Sequence, residues 1–196
     1  GYEYTCDDVA DPLLVGFVRR MLMEETLPTL RPVPGIDATA YVEQSLARLA
    51  NTAIRHRNHQ IATDGSQKIV QRVLNPIRER LGRGQDVTLL AVPVAAWMAY
   101  LARASARFGR QWPVADPYAG RIAAIADRIG DDAAALAGEI LSIDTIFDPA
   151  LAADHAFRTK VAALLQGFLG TDPLGCLRRL AEGDSSLSKP SRKPLS

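Results

Sequence analysis

The sequence predicts an all-α protein, a single multi-helix domain with about eight helices. Apolar residues recur at helical spacing along most of the 196-residue chain, and no alternating strand pattern of convincing length interrupts them. Several Asp-Pro pairs, which favour helix starts, separate these apolar segments. Hydrophobic residues make up 47% of the chain, which suffices for one sizeable core.

Two helices and a connector are predicted before residue 55. The first helix begins at Asp11-Pro12, since proline suits the first turn of a helix. Three prolines between residues 28 and 34 then predict a rigid, extended connector. Asp37 is a suitable N-cap for the second helix. We expect that helix to bury Val42, Leu46, Leu49 and Ala53.

A polar break over residues 55–65 precedes a third predicted helix, from about Ser66 to Leu81. Ser66 is a natural N-cap for that helix. Pro76 lies within it and predicts a kink, because proline removes the hydrogen bond to the carbonyl of Arg72.

The second half of the chain predicts a buried helix followed by shorter ones. Residues 87–108 are apolar on nearly every side, which is typical of a central helix. A helix is predicted from Asp116-Pro117 to Ile129, and Asp131 is expected to cap the next one. Residues 154–169 carry an amphipathic stripe, and Asp172-Pro173 begins the last helix.

We expect the helical domain to extend over residues 1–181. Residues 182–196 read EGDSSLSKPSRKPLS, and this Ser/Pro/Lys composition predicts a disordered tail. The chain opens with Gly1 instead of methionine and has no signal-peptide pattern. We therefore expect a fragment of a longer protein, with sequence missing upstream.

Charge and cysteine content narrow the class of protein. The net charge is +1, and basic residues do not cluster with aromatic ones, so we expect no nucleic-acid partner. No apolar run reaches the ~18 to 20 residues that a membrane span needs, so no membrane partner is expected. Cys6 and Cys176 lack a pairing pattern. Two reduced thiols in a cytoplasmic protein are the preferred interpretation.

Polar residues concentrate in HRNHQIATDGSQK, residues 56–68, which we call the polar junction. Asp64-Gly65 is a turn signal, and Lys68 follows in the first turn of the next helix. A lysine is unusual there, because the N-terminus of a helix favours anionic side chains. Such a lysine suits a site for an anion or a polyhydroxylated ligand. A solvated surface lysine is nevertheless the commoner case.

The histidines and arginines of the polar junction leave several interpretations open. His56 and His59 are three residues apart, but a metal site needs at least a third ligand. Hydrogen-bonded imidazoles are therefore favoured, and no metal site is predicted. Arg55 and Arg57 could pair with acidic side chains or bind a carboxylate, and the residues do not decide between these roles.

The stretch LARLANTAIRHRNHQIATDGSQKIVQRVLNPIRERL resembles the C-terminal domain of the mannitol dehydrogenase and fructuronate reductase family, the polyol-specific long-chain dehydrogenases. That family carries the line RFxNPxIxHR..QIAMDGSQKLPQR, from which Leu49, Thr52 and Thr63 depart. The resemblance covers roughly residues 1–180 and is strongest over 45–81. The matching residues are Arg48, Asn51, Ile54, His56, Arg57, Gln60, Ile61, Ala62, Asp64, Gly65, Ser66, Gln67, Lys68, Gln71 and Arg72.

The resemblance implies the helical, substrate-binding C-terminal domain of a two-domain dehydrogenase. Lys68 lines the substrate pocket in that family. Gln60 takes a second pocket position, where a glutamine favours a sugar acid over a polyol. The implied supporting residues are Arg57, His59, Asp64 and Ser66.

The implied reaction is hydride transfer between NAD or NADP and a sugar alcohol or sugar acid. The family's proton-transfer helix reads KxxxxNxxH, a spacing that no lysine of this chain satisfies. We therefore expect neither a catalytic residue nor a bound cofactor in this chain, which should be inactive alone. The N-terminal Rossmann domain would bind the cofactor and lie upstream. The alternative is a stand-alone helical binding or interaction module without catalysis, with a natural start codon near Gly1.

Overall fold

The computed structural model describes residues 3–103 and 114–182, and these ranges contain helices and loops but no β-strand. A single residue pair within them, Tyr4 and Arg57, forms an isolated antiparallel bridge. The all-α prediction is confirmed for this part of the chain. Most of the predicted tail lies outside the described residues, as does the end of the predicted central helix. Within the described ranges, no helix is both long and apolar enough to cross a membrane.

The helices are short to medium in length and follow one another closely. Two π-helical segments, Met21–Thr26 and Val70–Leu74, and a 3₁₀ turn, Leu27–Thr29, interrupt them. The α-helices are α1 (Thr5–Ala10), α2 (Pro12–Arg20), α3 (Ala38–Leu49), α4 (Asn58–Ile61), α5 (Gly65–Ile69), α6 (Asn75–Gly82), α7 (Thr88–Ala102), α8 (Ala119–Ile129), α9 (Ala133–Leu141), α10 (Pro149–Ala153), α11 (His155–Leu169) and α12 (Pro173–Ala181).

Helix α7 is the centre of the fold, as its apolar sequence predicts. Most of its side chains are buried, because α11, α8 and α9 pack around it. The predicted stripe of α11 faces this core, and Phe157 is completely buried there. The core thus forms between α7 and the helices of the second half of the chain, together with Ile69, Leu74 and Ile77 from the segment before α7.

A buried carboxylate meets the N-terminus of α7. Glu25, in the first π-helical segment, is only 4% exposed. Its two oxygens accept hydrogen bonds from the backbone N–H groups of Leu89 at 3.0 Å and Leu90 at 2.8 Å. Such N–H groups at the start of a helix have no partner within the helix, and a carboxylate satisfies them. Burial nevertheless raises the pKa of Glu25, against the lowering by these two bonds.

Helix α3 corrects one expectation about buried residues. Asp37 caps it as predicted, accepting from the Ala40 N–H at 3.1 Å, and Val42 and Leu46 are buried. Leu49, however, is 40% exposed and is the last residue of the helix. Ala53 lies beyond the helix and is exposed. The error arises because α3 lies at the edge of the fold and contacts few elements, so its buried face is narrow.

Two predicted helix starts are also wrong by one to three residues. Asp132, not Asp131, caps α9, and its carboxylate accepts from the N–H groups of Ala134 and Ala135. Helix α8 begins at Ala119, three residues after Asp116, whose carboxylate accepts from the N–H groups of both Tyr118 and Ser66.

The expected distortion at Pro76 takes the form of a π-helical segment. Helical structure continues from Gly65 to Gly82, but residues Val70–Leu74 form wider turns immediately before the proline. Pro76 lies at the beginning of α6, within this continuous helical segment, and its missing N–H interrupts the regular hydrogen bonding there. Wider turns of this kind are one of the known causes of helix bending.

Both cysteines are buried, and neither forms a disulfide. The prediction of two unpaired thiols is therefore confirmed. Cys176 lies at the crossing of α12 and α11, where a Cβ on Gly167 would overlap its sulfur atom. These two helices consequently approach each other as closely as a glycine permits.

Candidate functional site

The polar junction contains α4, a turn of three residues and the beginning of α5. Each of its ends is hydrogen-bonded to a distant part of the chain. The first end contacts residues 3–8, and the second contacts residues 115 and 116. The predicted pocket residues Gln60 and Lys68 lie in α4 and α5, on either side of the turn.

The N-terminal segment holds the first end of the junction. The Thr5 N–H donates to the His56 carbonyl at 3.0 Å, and the Asn58 N–H donates to the Glu3 carbonyl at 2.9 Å. The Asn58 side chain donates from Nδ2 to Asp8 at 2.6 Å and accepts from the Thr5 hydroxyl at 2.7 Å. These bonds join residues about fifty positions apart and hold the start of α4 against α1.

The two arginines of this end face the same segment. The Arg55 guanidinium lies 4.1 Å from the centre of the Tyr4 ring, in cation–π geometry. Arg57 Nε lies 3.9 Å from a Glu3 carboxylate oxygen, and both side chains are more than half exposed. A solvated pair of this length contributes little to stability. Pairing with an acidic side chain, one of the two roles left open for Arg57, is thus the one observed.

The turn before α5 depends on the backbone of Asp64. This residue has φ 54° and ψ 35°, the left-handed conformation, which aspartate tolerates better than most residues. Its N–H donates to the Ala115 carbonyl at 2.9 Å. Its own carbonyl accepts from the N–H groups of Gln67 and Lys68, each at 3.1 Å. Asp64 therefore shapes the turn through its main chain, and its carboxylate makes no capping bond.

The prediction that Ser66 caps the helix is wrong. Asp64 takes the N-cap position in a left-handed conformation. Helix α5 therefore begins at Gly65, and Ser66 is its second residue. The Ser66 N–H donates to Asp116 Oδ2 at 2.7 Å. Its side chain is 2% exposed, and its hydroxyl has no hydrogen-bond partner among the described residues.

Asp116 is a functional candidate that the sequence did not reveal. Besides the Ser66 N–H, its carboxylate accepts from the Tyr118 N–H at 2.9 Å and from Trp97 Nε1 at 3.4 Å. The Trp97 indole also packs against the turn, because a Cβ on Gly65 would lie only 2.9 Å from its Cδ1 atom. The available signal was the Asp-Pro pair, whose simpler interpretation is a helix start.

The half-buried ammonium group of Lys68 contacts the turn that precedes its helix. Nζ donates to the carbonyl oxygens of Ile61 at 2.9 Å and Thr63 at 2.6 Å. These carbonyls lie where α4 ends, and a cation is favourable at the C-terminal end of a helix. A positive charge is unfavourable at the N-terminus of α5, but the ammonium group of Lys68 is favourable at the C-terminal end of α4. An ammonium has three N–H donors, so two are used here.

The Ile61 contact brings the ammonium of Lys68 beside the residue that follows Gln60. Gln60 and His59 lie in α4, and both side chains are exposed to solvent. Gln60 offers an amide donor and acceptor, and Lys68 offers a fixed positive charge. Together these groups can bind an oxygen-rich ligand.

The two histidines do not share a helix face. His56 precedes α4, whereas His59 lies within it. Across residues 3–103 and 114–182, no three His, Cys, Asp or Glu side chains form a group suited to metal binding.

Comparison with known proteins gives the family. Residues 1–168 match the model of the mannitol dehydrogenase C-terminal domain. The chain belongs to this family. The resemblance of the polar junction to this family's sequences is thereby confirmed.

Relatives of this mannitol dehydrogenase C-terminal domain are much longer proteins. D-mannonate oxidoreductase of Escherichia coli is 42% identical over 100 residues, which cover 51% of this chain and 21% of that protein. Mannitol dehydrogenase DSF1 of Saccharomyces cerevisiae is 30% identical over 183 residues, covering 93% of this chain and 36% of the relative. The chain thus spans about a third or less of the relatives that it matches.

A solved structure has the same helical arrangement. Mannitol 2-dehydrogenase of Pseudomonas fluorescens, in a ternary complex with NAD and D-mannitol, superposes with a TM-score of 0.83 at 26% identity. The superposition covers 93% of this chain and 36% of that one. The domain described here therefore corresponds to one part of a larger dehydrogenase fold.

Proposed function

We propose that this domain forms the substrate-binding part of an NAD(P)-dependent oxidoreductase that interconverts a sugar alcohol, or the alcohol of a sugar acid, and its ketose. The observation that carries the proposal is the position of the Lys68 ammonium. The carbonyl oxygens of Ile61 and Thr63 hold it at the end of α4, the helix that contains Gln60, and one of its N–H donors is left for a substrate oxygen. Family membership and the NAD and D-mannitol complex of the Pseudomonas relative support the reaction class.

Among the candidate substrates we favour a sugar acid. A carboxylate pairs with the positive charge of Lys68 more strongly than a hydroxyl does. Gln60 adds a neutral donor and acceptor for the remaining oxygens. The 42% identity with the Escherichia coli D-mannonate oxidoreductase, over a segment of 100 residues, supports the same choice.

The bound nicotinamide would supply or accept the hydride. A Rossmann site needs parallel strands, and the described residues contain no strand, so we place the cofactor in a separate N-terminal domain. Within this chain, Lys68 and Gln60 would bind and orient the sugar. His59, Arg57 and the turn residues would support them.

Exposed apolar residues beside the junction suit contact with that second domain. Leu49, Ile54 and Ile61 are 40%, 47% and 45% exposed. Exposed apolar side chains that form a continuous patch commonly mark surfaces that another protein or domain covers. We propose that the cofactor domain lies against this side of the junction, which would also exclude water from the substrate.

Kinetics of the intact protein test the proposal. We expect oxidation of D-mannonate with NAD or NADP, and Lys68→Met should raise the KM for the sugar about tenfold, the value of one charge-assisted hydrogen bond. The KM for the cofactor should not change. Arg121→Met is a matched control, since Arg121 is an exposed cation on α8. An unchanged sugar KM in the Lys68 variant would contradict the role of Lys68.

A further inference from the structure

We infer that Asp116 is a positioning residue, which holds the turn at Asp64 and the start of α5 in the conformation that places the Lys68 ammonium for substrate. The inference deepens the proposed function and rests on it. Asp116 contacts neither Lys68 nor Gln60 among its hydrogen bonds, so it acts through the backbone of the turn.

The first step is the hydrogen bonding of the turn. The Ser66 N–H is one of the first N–H groups of α5, which have no carbonyl partner within the helix. Asp116 Oδ2 accepts from it at 2.7 Å. The neighbouring Ala115 carbonyl accepts from the Asp64 N–H at 2.9 Å. Two consecutive residues of one loop thus bind the left-handed residue and the residue two positions after it.

The second step is the attachment of Asp116 itself. Its other oxygen, Oδ1, accepts from the Tyr118 N–H at 2.9 Å, which fixes the carboxylate to the start of α8. Trp97 Nε1 lies 3.4 Å from Oδ2 and belongs to the central helix α7. Trp97 is 9% exposed and contacts the ring of Phe147 in the core. The turn is therefore connected to the most buried part of the molecule.

The third step connects the turn to Lys68. The carbonyl of Asp64 accepts the Lys68 N–H, and the Lys68 ammonium returns to the carbonyl of Thr63. The main chain and the side chain of Lys68 are thus both bonded to the turn. If the left-handed conformation at Asp64 relaxes, these acceptors move and the ammonium moves with them. Loss of Asp116 should consequently affect sugar binding from a distance.

Gly65 makes the arrangement specific. Any larger residue would push the turn away from the Trp97 indole, whose Cδ1 atom lies 2.9 Å from the Cβ position. The φ of Gly65 does not require glycine, so the close contact with Trp97 is the reason for it. Asp116 and Trp97 therefore act on adjacent residues of the same turn.

The experiment compares Asp116→Asn with Asp132→Asn in the intact protein. Asp132 makes the same kind of bonds, to two backbone N–H groups at the start of α9, but it takes no part in the turn. In Asp116→Asn we expect the sugar kcat/KM to fall about tenfold or more, as misplaced binding groups do. The KM for the cofactor should stay unchanged. Asp132→Asn keeps the single oxygen that accepts both N–H groups, so it should leave thermal stability and the sugar KM nearly unchanged.

Amide hydrogen exchange tests the mechanism independently of activity. The Ser66 N–H should be protected in the wild type and exchange faster in Asp116→Asn, with no change in Asp132→Asn. Unchanged Ser66 exchange in Asp116→Asn would overturn the inference, as would faster exchange with an unchanged sugar kcat/KM. If the intact wild type reduces no ketose or keto-acid at all, the proposed function fails. The exchange result then still decides whether Asp116 holds the turn.

Discussion

At the scale of single residues, the buried carboxyl group of Glu25 accepts hydrogen bonds at the start of the central helix α7. Replacing it with glutamine leaves one acceptor for the two N–H groups of Leu89 and Leu90. We expect Glu25→Gln to lower the free energy of unfolding by about 1–3 kcal/mol, the cost of a buried donor without a partner. Urea unfolding measures this loss. Glu24→Gln is the neighbouring control, and its exposed pair with Arg20 should be worth about 0.5 kcal/mol.

The pH dependence of this loss follows from the raised pKa of Glu25. A raised folded-state pKa contributes stability that is fully present below the ordinary value of 4.5 and is lost as pH rises through the folded pKa. Glutamine does not titrate, so the variant lacks this contribution to stability. The loss of unfolding free energy caused by Glu25→Gln should therefore be larger near pH 4.5 than at neutral pH. A deficit that grows with pH would mean that the two helix N–H bonds outweigh burial.

At the scale of helices, the crossing of α11 and α12 is limited by Gly167. A methyl group there would overlap Cys176 Sγ, and Cys176 is completely buried. We expect Gly167→Ala to lower the free energy of unfolding by about 1–3 kcal/mol through overpacking, although alanine favours helix by about 1 kcal/mol. Thermal unfolding measures whether Gly167→Ala lowers or raises stability.

Gly120 in α8 provides the matched comparison for that prediction. It is exposed, lies in a helix and has open space at its Cβ position. Gly120→Ala should raise the free energy of unfolding by up to about 1 kcal/mol, because only helix propensity changes. Equal effects of the two substitutions would show that packing at Gly167 is looser than the structure indicates.

Helix positions were predictable where local chemistry decides them. Asp11, Asp148 and Asp172 each precede a proline and accept hydrogen bonds from the first N–H groups of a helix. Asp116 precedes a proline as well, but its carboxylate binds Ser66 from another element. The same dipeptide therefore supports either a cap or a tertiary contact. The π-helical segments escaped prediction because their wider turns depend on packing around them.

At the scale of the whole molecule, the sequence indicates a candidate site but not the contacts that hold it in place. The polar junction and Lys68 were identifiable from the sequence, since they lie within thirteen consecutive residues. The bonds from Thr5 to Asn58 and from Ser66 to Asp116 join residues 53 and 50 positions apart. No periodicity or local motif encodes such pairs. These pairs form only when folding brings α1, α7 and the loop before α8 together with the polar junction.

The proposed separation of sugar binding and cofactor binding into two domains gives a last prediction. We expect the isolated chain to be folded and yet unable to reduce a ketose or keto-acid with NADH or NADPH. Helices α8, α9 and α11 pack around α7 and bury its side chains, and we expect this core to fold without a second domain. The described residues, however, contain no strand for a Rossmann site, and the sequence contains no KxxxxNxxH helix.

Circular dichroism and a nicotinamide absorbance assay on the same sample measure both halves of this prediction. A helical spectrum with cooperative thermal unfolding, and no cofactor oxidation with fructuronate or fructose, is the expected result. The intact protein serves as the positive control. Turnover by the isolated chain would place catalytic groups within these 196 residues and contradict the assignment of proton transfer to another domain. An unfolded isolated chain would instead show that the exposed apolar residues near the junction need their partner for stability.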